Sequence, residues 1–276
     1  MALMMLNLAA YRGGMDAAAL ADLALDIARD AGALALRRRQ EGVAIAATKS
    51  VIADIVTEAD REVEALIRAR LAAERPDDGF LGEESGAERG TSDITWVVDP
   101  IDGTVNYAYG MPHYAVSIAA VSGEPTPPTW TALAGVVHNP AVGETFHAVR
   151  GGGAWRGEER LAVSSVGEAG GLVATGFGYD PKYHEEDLAR VAAVMPLLRD
   201  LRRAGAASLD LAYVAAGRLD GYFERGLHPW DHAAGALLVA EAGGRVAGAP
   251  GGFPGRDMTV AAGPELFARL TATIGL

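Results

Sequence analysis

Apolar residues in the first part of the chain recur three and four positions apart. Leu20, Leu23, Ala24, Ile27, Ala31 and Leu34 mark one face of a helix over 16–39, and Arg37, Arg38 and Arg39 end it with charge that suits a helix C-terminus. Asp54-Ile55-Val56 reads as a short strand. Thr57 then stands three residues before Asp60 in a capping-box pattern, and Val63, Leu66, Ile67 and Leu71 continue a second helix. Next the pattern shifts to short apolar runs at 95–98, 114–121, 132–138 and 144–149, which predict strands. The Pro-rich segment 123–128 reads as an exposed connection between two of them. Farther on, 185–199 and 208–216 read as helices and 219–224 as a strand. A helix then begins near Trp230-Asp231 and stops at Gly243-Gly244. Helices toward the ends with strands in the middle predict an α/β (α+β) layered architecture. Neither a repeat nor a linker interrupts 16–276, so one compact unit is expected after a loose lead-in over 1–15.

Half of the 276 residues are apolar and 22% are charged, which supports a substantial core and excludes global disorder. The net charge of −12 argues against nucleic acid as a partner, because that binding rests on Lys and Arg. Cysteine is absent, which removes disulfides, thiolate ligands and a Cys nucleophile, and fits a reducing, cytoplasmic setting. Asp22, Asp26 and Asp30 interrupt the best apolar stretch before it reaches the roughly 18 residues of a membrane span. The first residues lack a basic n-region, so no secretory signal is expected and no membrane partner either.

The most informative segment is Trp96-Val97-Val98-Asp99-Pro100-Ile101-Asp102-Gly103-Thr104. An apolar strand ending in Asp-Pro delivers its two acids to an edge, where they can hold hydrated cations. The Gly-Thr step opens a turn or short helix whose free N–H groups can meet an anion. Metal and phosphate in one place point to phosphoryl transfer to water. Two further segments carry acids: Gly82-Glu83-Glu84-Ser85-Gly86 after a helix, and Trp230-Asp231-His232 at a helix start. Glu83, Asp99, Asp102 and Asp231 cannot share a cleft as bare anions, and divalent cations resolve that conflict. Hard oxygen donors without His or Cys suit Mg²⁺. His228 and His232 have the wrong spacing for zinc ligands on one helical face and read as structural.

These segments, in this order, resemble the inositol monophosphatase family of lithium-sensitive, magnesium-dependent phosphatases. The likeness extends to Asp54-Ile55-Val56-Thr57-Glu58-Ala59-Asp60, Gly135-Val136-Val137, Arg203-Ala204-Gly205-Ala206-Ala207 and Gly221-Tyr222-Phe223-Glu224. The resemblance implies an αβαβα sandwich of the inositol monophosphatase / fructose-1,6-bisphosphatase type, with two half-domains meeting near 155–165, and a homodimer. It implies Mg²⁺, two or three ions per site, held by Glu83, Asp99, the Ile101 carbonyl, Asp102 and Asp231. It also implies that Glu83 and Thr104 orient the attacking water, with Asp54 hydrogen-bonded to the Thr104 hydroxyl. Substrate is expected against Asp102, Gly103, Thr104, Gly205, Ala206, Ala207, Glu224 and Asp231. Where the family often carries Ser or Thr, Ala206 stands here, so one polar contact is missing. Lys49 aligns with a basic position near the family's site. The activity implied is phosphomonoester hydrolysis of a small polyol phosphate, first myo-inositol 1-phosphate. Histidinol phosphate, fructose 1,6-bisphosphate and a nucleotide 3′-phosphate are the alternative substrates, and a metal-binding regulatory protein of the same fold is the non-enzymatic alternative. A phospho-aspartyl mechanism is disfavoured, because it needs Asp-x-Asp and the spacing here is Asp99-x-x-Asp102.

Overall fold

The computed structural model describes residues 17–42, 45–48, 55–123, 130–166, 170–178, 180–248 and 252–276. The expected lead-in, Lys49, Asp54 and most of the Pro-rich connection lie outside the described residues. The chain opens with α1 (Ala17–Glu41), the antiparallel pair β1 (Ile45–Thr48) and β2 (Ile55–Thr57), and α2 (Glu58–Glu74). Strands β3 (Gly79–Gly82), β4 (Gly86–Glu88) and β5 (Ile94–Asp102) follow, then the short helix α3 (Thr104–Tyr109). The first large sheet is completed by β6 (Ala115–Gly123), β7 (Trp130–Asn139), β8 (Glu144–Val149), β9 (Gly153–Arg156) and β10 (Glu159–Arg160). Its strand order is β10-β9-β8-β7-β6-β5-β3-β4.

The second part runs β11 (Gly171–Thr175), α4 (His184–Val194), β12 (Leu198–Arg202), α5 (Ala207–Ala215), β13 (Gly221–Glu224), α6 (Pro229–Glu241), β14 (Arg245–Ala247), β15 (Thr259–Ala262) and α7 (Pro264–Ile274). Five of these segments form a second sheet in the order β12-β11-β13-β15-β14.

Packing resolves these elements into five layers. Helix α1 lies on β6, β7 and β8 and against α2, burying Leu20, Ala24, Ile27 and Ala31 with Val63 and Ile67 of α2. On the opposite face of the large sheet sit α5 and α6, which also contact β13, β14 and β15 of the second sheet. A helix between two sheets has apolar neighbours on several sides. Accordingly Ala233, Ala234, Leu237, Leu238 and Val239 of α6 are all buried. Helices α4 and α7 meet on the outer side of the second sheet, where Leu266 and Leu270 close a third cluster with Val173 and Val260. This is the αβαβα sandwich that the resemblance implied.

The expected strand at 95–98 is longer, Ile94–Asp102, and buried along its whole length. It is an interior strand, parallel to β3 and antiparallel to β6, so the acids emerge at its C-terminal end rather than along an outer strand. Pro100 has no N–H to give the ladder. Between Asp99↔Ser117 and Asp102↔Ala115 the register slips, with three steps on β5 against two on β6. That extra residue is a bulge, and it cancels the strict alternation of faces that would otherwise send Asp99 and Asp102 to opposite sides.

One predicted helix is corrected. The span 185–199 is helical only through Val194, passes through a 3₁₀ turn at Met195–Leu197, and becomes strand β12. Pro196 is the physical reason: its ring and missing N–H are incompatible with a helix interior.

Candidate active site

Three segments deliver the four acids. Glu83 follows β3, Asp99 and Asp102 end β5, and Asp231 lies in the first turn of α6. The Glu83 turn is held from behind by Glu64 of α2, 3% exposed, whose Oε2 accepts from the Glu84 N–H at 2.9 Å and whose Oε1 accepts from the Ser85 N–H at 2.8 Å. Gly82 admits this carboxylate, since a Cβ there would lie 2.4 Å from Glu64 Oε2. The Glu83 N–H itself bonds to the Val98 carbonyl at 3.2 Å, which ties the turn to β5.

Asp102 is the most fully fixed of the set. Its Oδ1 accepts from the Ala207 N–H at 3.2 Å, and its Oδ2 accepts from the Ser208 N–H at 2.7 Å and the Ser208 hydroxyl at 2.5 Å. The start of α5 thus seats a carboxylate of β5 across the junction between the layers. Asp99 accepts from the Ile101 N–H at 3.1 Å, and Asp231 accepts from the His228 N–H at 2.7 Å in closing the first turn of α6. Gly103 follows Asp102 in the left-handed region, φ 87° and ψ 39°, where a side chain is disfavoured. It caps α3, and the first N–H donated back into that helix is Tyr107 to the Gly103 carbonyl. The Thr104 N–H, at the opening of the helix, therefore has no acceptor within it.

The carboxyls repel one another. Asp99 is raised well above the usual carboxylate range, first by burial and then by Glu83, Asp102 and Asp231. Asp231 is raised for the same reasons, burial first, then Asp102 and Glu83. Asp102 rises to about 6 by burial, moderated by its two bonds from Ser208. A side-chain hydrogen bond between Glu83 and Asp99 accompanies this, the arrangement of two acids sharing a proton when positive charge is lacking. Among the described residues, no three His, Asp or Glu side chains stand close enough to enclose a cation by themselves. An open, oxygen-only set of this kind fits Mg²⁺, which keeps several waters and takes only one or two carboxylates per ion alongside phosphate oxygens.

Thr104 has a carboxylate neighbour beyond the one expected from the sequence. Its hydroxyl lies 3.1 Å from the Ile101 carbonyl and 3.3 Å from Oδ1 of Asp60. Asp54, expected as its partner, lies outside the described residues, and the carboxylate found beside Thr104 is Asp60. Asp60 is 1% exposed, and its other oxygen accepts from the Thr57 N–H at 2.7 Å and the Thr57 hydroxyl at 2.6 Å. The sequence marked Asp60 only as the acid of a capping box. The same side chain closes the helix with Oδ2 and reaches Thr104 with Oδ1. Burial pushes its pKa up to about 7 against the lowering effect of Thr57, with Glu83 and Glu84 adding to the rise.

On the second sheet, Glu224 ends β13, and its Oε2 accepts from the Tyr222 hydroxyl at 2.6 Å. Burial raises it to about 7, opposed by Tyr222 and by the charge of Arg203, while Asp210 and Asp102 push the same way as burial. Gly205 and Ala206 bracket Gly103, since a Cβ on Gly103 would meet Ala206 Cβ at 3.1 Å and the Gly205 carbonyl at 3.2 Å. Ala206 and Ala207 are buried. The polar group absent at Ala206 has a counterpart two residues on, in Ser208, which turns toward Asp102. The histidines behave as structural residues. His228 stacks on Trp230 at 4.7 Å between ring centroids, and His232 is 1% exposed with its pKa lowered to about 4 by burial.

The profile of the Inositol monophosphatase family matches residues 16–274, and the chain belongs to that family. The protein named inositol-1-monophosphatase SuhB from Mycobacterium tuberculosis (strain ATCC 25618 / H37Rv) is 43% identical over 257 residues, covering 89% of this chain and 87% of that relative. Another relative, named Nus factor SuhB, from Haemophilus influenzae, is 43% identical over 228 residues, 82% of this chain and 83% of its own length. Among solved structures, the extragenic suppressor protein suhB from Bartonella henselae superposes with a TM-score of 0.84 at 36% identity, covering 93% of this chain and 98% of that one.

Proposed function

We propose that this chain is a Mg²⁺-dependent phosphomonoesterase acting on a small polyol phosphate, with myo-inositol 1-phosphate as its first substrate. The observation that carries the reading is the convergence of Glu83, Asp99, Asp102 and Asp231 beside Thr104, evident in the rise of Asp99, to which Glu83, Asp102 and Asp231 each contribute, and of Asp231, to which Asp102 and Glu83 contribute. Glu83, Asp99, Asp102, Asp231 and the Ile101 carbonyl would hold two or three ions. Bound Mg²⁺ neutralises the phosphate and makes water a better nucleophile.

The chain's own residues supply the rest. Thr104 shares its single hydroxyl proton between Asp60 and the Ile101 carbonyl, so an oxygen lone pair remains to accept from the attacking water. Asp60 supports the Thr104 hydroxyl in this role. Glu83, fixed through Glu64, orients the same water from the other side. The N–H groups of Gly103 and Thr104 hold phosphate oxygens. A phosphorus–oxygen bond to water forms in line with the bond to the alcohol that breaks. The proton the attacking water loses passes through the Thr104 hydroxyl to Asp60, a second water protonates the alkoxide, and the proton on Asp60 then returns through solvent to the hydroxide left behind. Gly205, Ala206 and Ala207 line the alcohol side, and Glu224 accepts from its hydroxyls. A site built for those donors discriminates against analogues lacking them. Lithium inhibition, a homodimer and a cytoplasmic location accompany this reading.

The test is phosphate release from myo-inositol 1-phosphate, fructose 1,6-bisphosphate, histidinol phosphate and a nucleotide 3′-phosphate with Mg²⁺. The first is expected to give the highest kcat/KM, and Asp99→Asn and lithium are each expected to suppress it. Equal release by wild type and Asp99→Asn defeats the enzymatic reading. The regulatory alternative, which the names of the Nus factor relatives keep in view, then takes its place.

A further inference from the structure

Glu224 has a built seat. Successive residues of a strand alternate faces, so Tyr222 and Glu224 of β13 share one face while Phe223 turns to the other. Tyr222 is fully buried, and its hydroxyl donates to Glu224 Oε2 at 2.6 Å. Burial raises the phenol well above its usual range, so it remains a donor at every working pH. The neighbouring strand β11 runs parallel, pairing Thr175 with Phe223, and Gly176 comes next along it. The Thr175 hydroxyl donates to the Phe223 carbonyl at 2.7 Å, locking the two strand ends together. A Cβ on Gly176 would fall 1.9 Å from Glu224 Oε2 and 2.2 Å from Oε1, inside the space the carboxylate occupies. The carboxylate is thus confined from below by a phenol and admitted at the side only because residue 176 has no side chain.

We propose that Tyr222 and Gly176 are positioning residues that seat Glu224 and so set a preference for phosphate esters of hydroxyl-rich alcohols over esters whose alcohol carries no further hydroxyl. This rests on the phosphomonoesterase reading above and names the part of the site that selects the alcohol. Tyr222 occupies one oxygen of Glu224 and fixes its plane, which leaves Oε1 to receive the substrate. Loss of either residue lets the carboxylate turn or forces it aside, while the phosphate-binding turn, carried by the other sheet, stays in place.

The experiment compares kcat/KM for myo-inositol 1-phosphate and for p-nitrophenyl phosphate in wild type, Tyr222→Phe and Gly176→Ala, with thermal melting of each. For both variants the ratio of the two kcat/KM values is expected to fall about 5- to 10-fold, mainly through KM for the inositol ester. Tyr222→Phe is isosteric apart from one oxygen and guards against misfolding. A ratio unchanged within about twofold in Tyr222→Phe overturns the proposal, as does an equal loss on both substrates, which marks a merely structural role. A wild type that cleaves p-nitrophenyl phosphate but not the inositol ester overturns it too. A wild type that cleaves neither overturns the phosphomonoesterase reading, and the proposal with it.

Discussion

Raising the pH should strengthen Mg²⁺ binding and, through it, thermal stability. The sign follows from the folded protein without metal, in which the clustered carboxyls hold protons that unfolded ones release. Burial holds Asp102 at about 6, and burial together with the acids around them holds Asp99 and Asp231 well above the usual carboxylate range. A carboxyl whose folded pKa is raised contributes stability below its unfolded pKa and loses it as pH rises through the folded value. Mg²⁺ needs the carboxylate, so each ion bound must displace protons, and that displacement becomes easier as pH rises. Asp102, which titrates through about 6 inside the range from pH 5.5 to 7.5, contributes about 1 kcal/mol to this dependence, and Asp99 and Asp231 act in the same direction. Unfolding entropy of about 2.1 cal/mol/K per residue over 276 residues converts the Asp102 contribution to an increase of about 2 °C. The assay is the melting temperature in saturating Mg²⁺ minus that in EDTA, measured at both pH values. Taking the difference cancels the buried His232, whose lowered pKa gives the opposite trend. A Mg²⁺-induced shift that is the same at pH 5.5 and 7.5 refutes the reasoning, because the acids then carry no protons for the metal to displace.

Asp60→Asn keeps the side chain's size but weakens its acceptance from Thr104, and kcat should drop by about 100-fold with KM little changed, read from initial rates. Ser208→Ala removes the 2.5 Å bond to Asp102 while retaining the backbone bond. Calorimetry should find Mg²⁺ bound about 10-fold more weakly, with the melting temperature in EDTA nearly unchanged. Gly82→Ala pushes a methyl against Glu64. The Glu83 turn should shift, and Mg²⁺-dependent activity should fall by at least about 10-fold while circular dichroism stays that of a folded protein.

The sequence made the layers legible where periodicity was uninterrupted. The face of α1, the four central strands of the large sheet and the start of α6 all lie within a few residues of their expected positions. Pro196 shows a local signal overridden by an apolar run, since Val194, Leu197 and Leu198 continue the hydrophobic pattern across a residue that ends the helix. The acids of β5 were readable as a motif, but the bulge that turns both inward exists only in the pairing with β6. Asp60 was visible as a cap, and nothing local to it shows that its second oxygen meets Thr104, 44 positions away. Ser208 and Tyr222 look like ordinary helix and strand residues, and their partners become apparent only after folding. Single carboxylates were therefore easier to find than the groups that aim them.

On the proposed reading, the two sheets divide recognition between them. Asp99, Asp102 and the Gly103 turn belong to the first, Glu224 with Tyr222 and Gly176 to the second, and α5 and α6 fill the space between. If that division holds, edits to β11 and β13 would retune the choice of alcohol while leaving the scissile chemistry intact, as a wrench with one fixed and one adjustable jaw accepts different bolts.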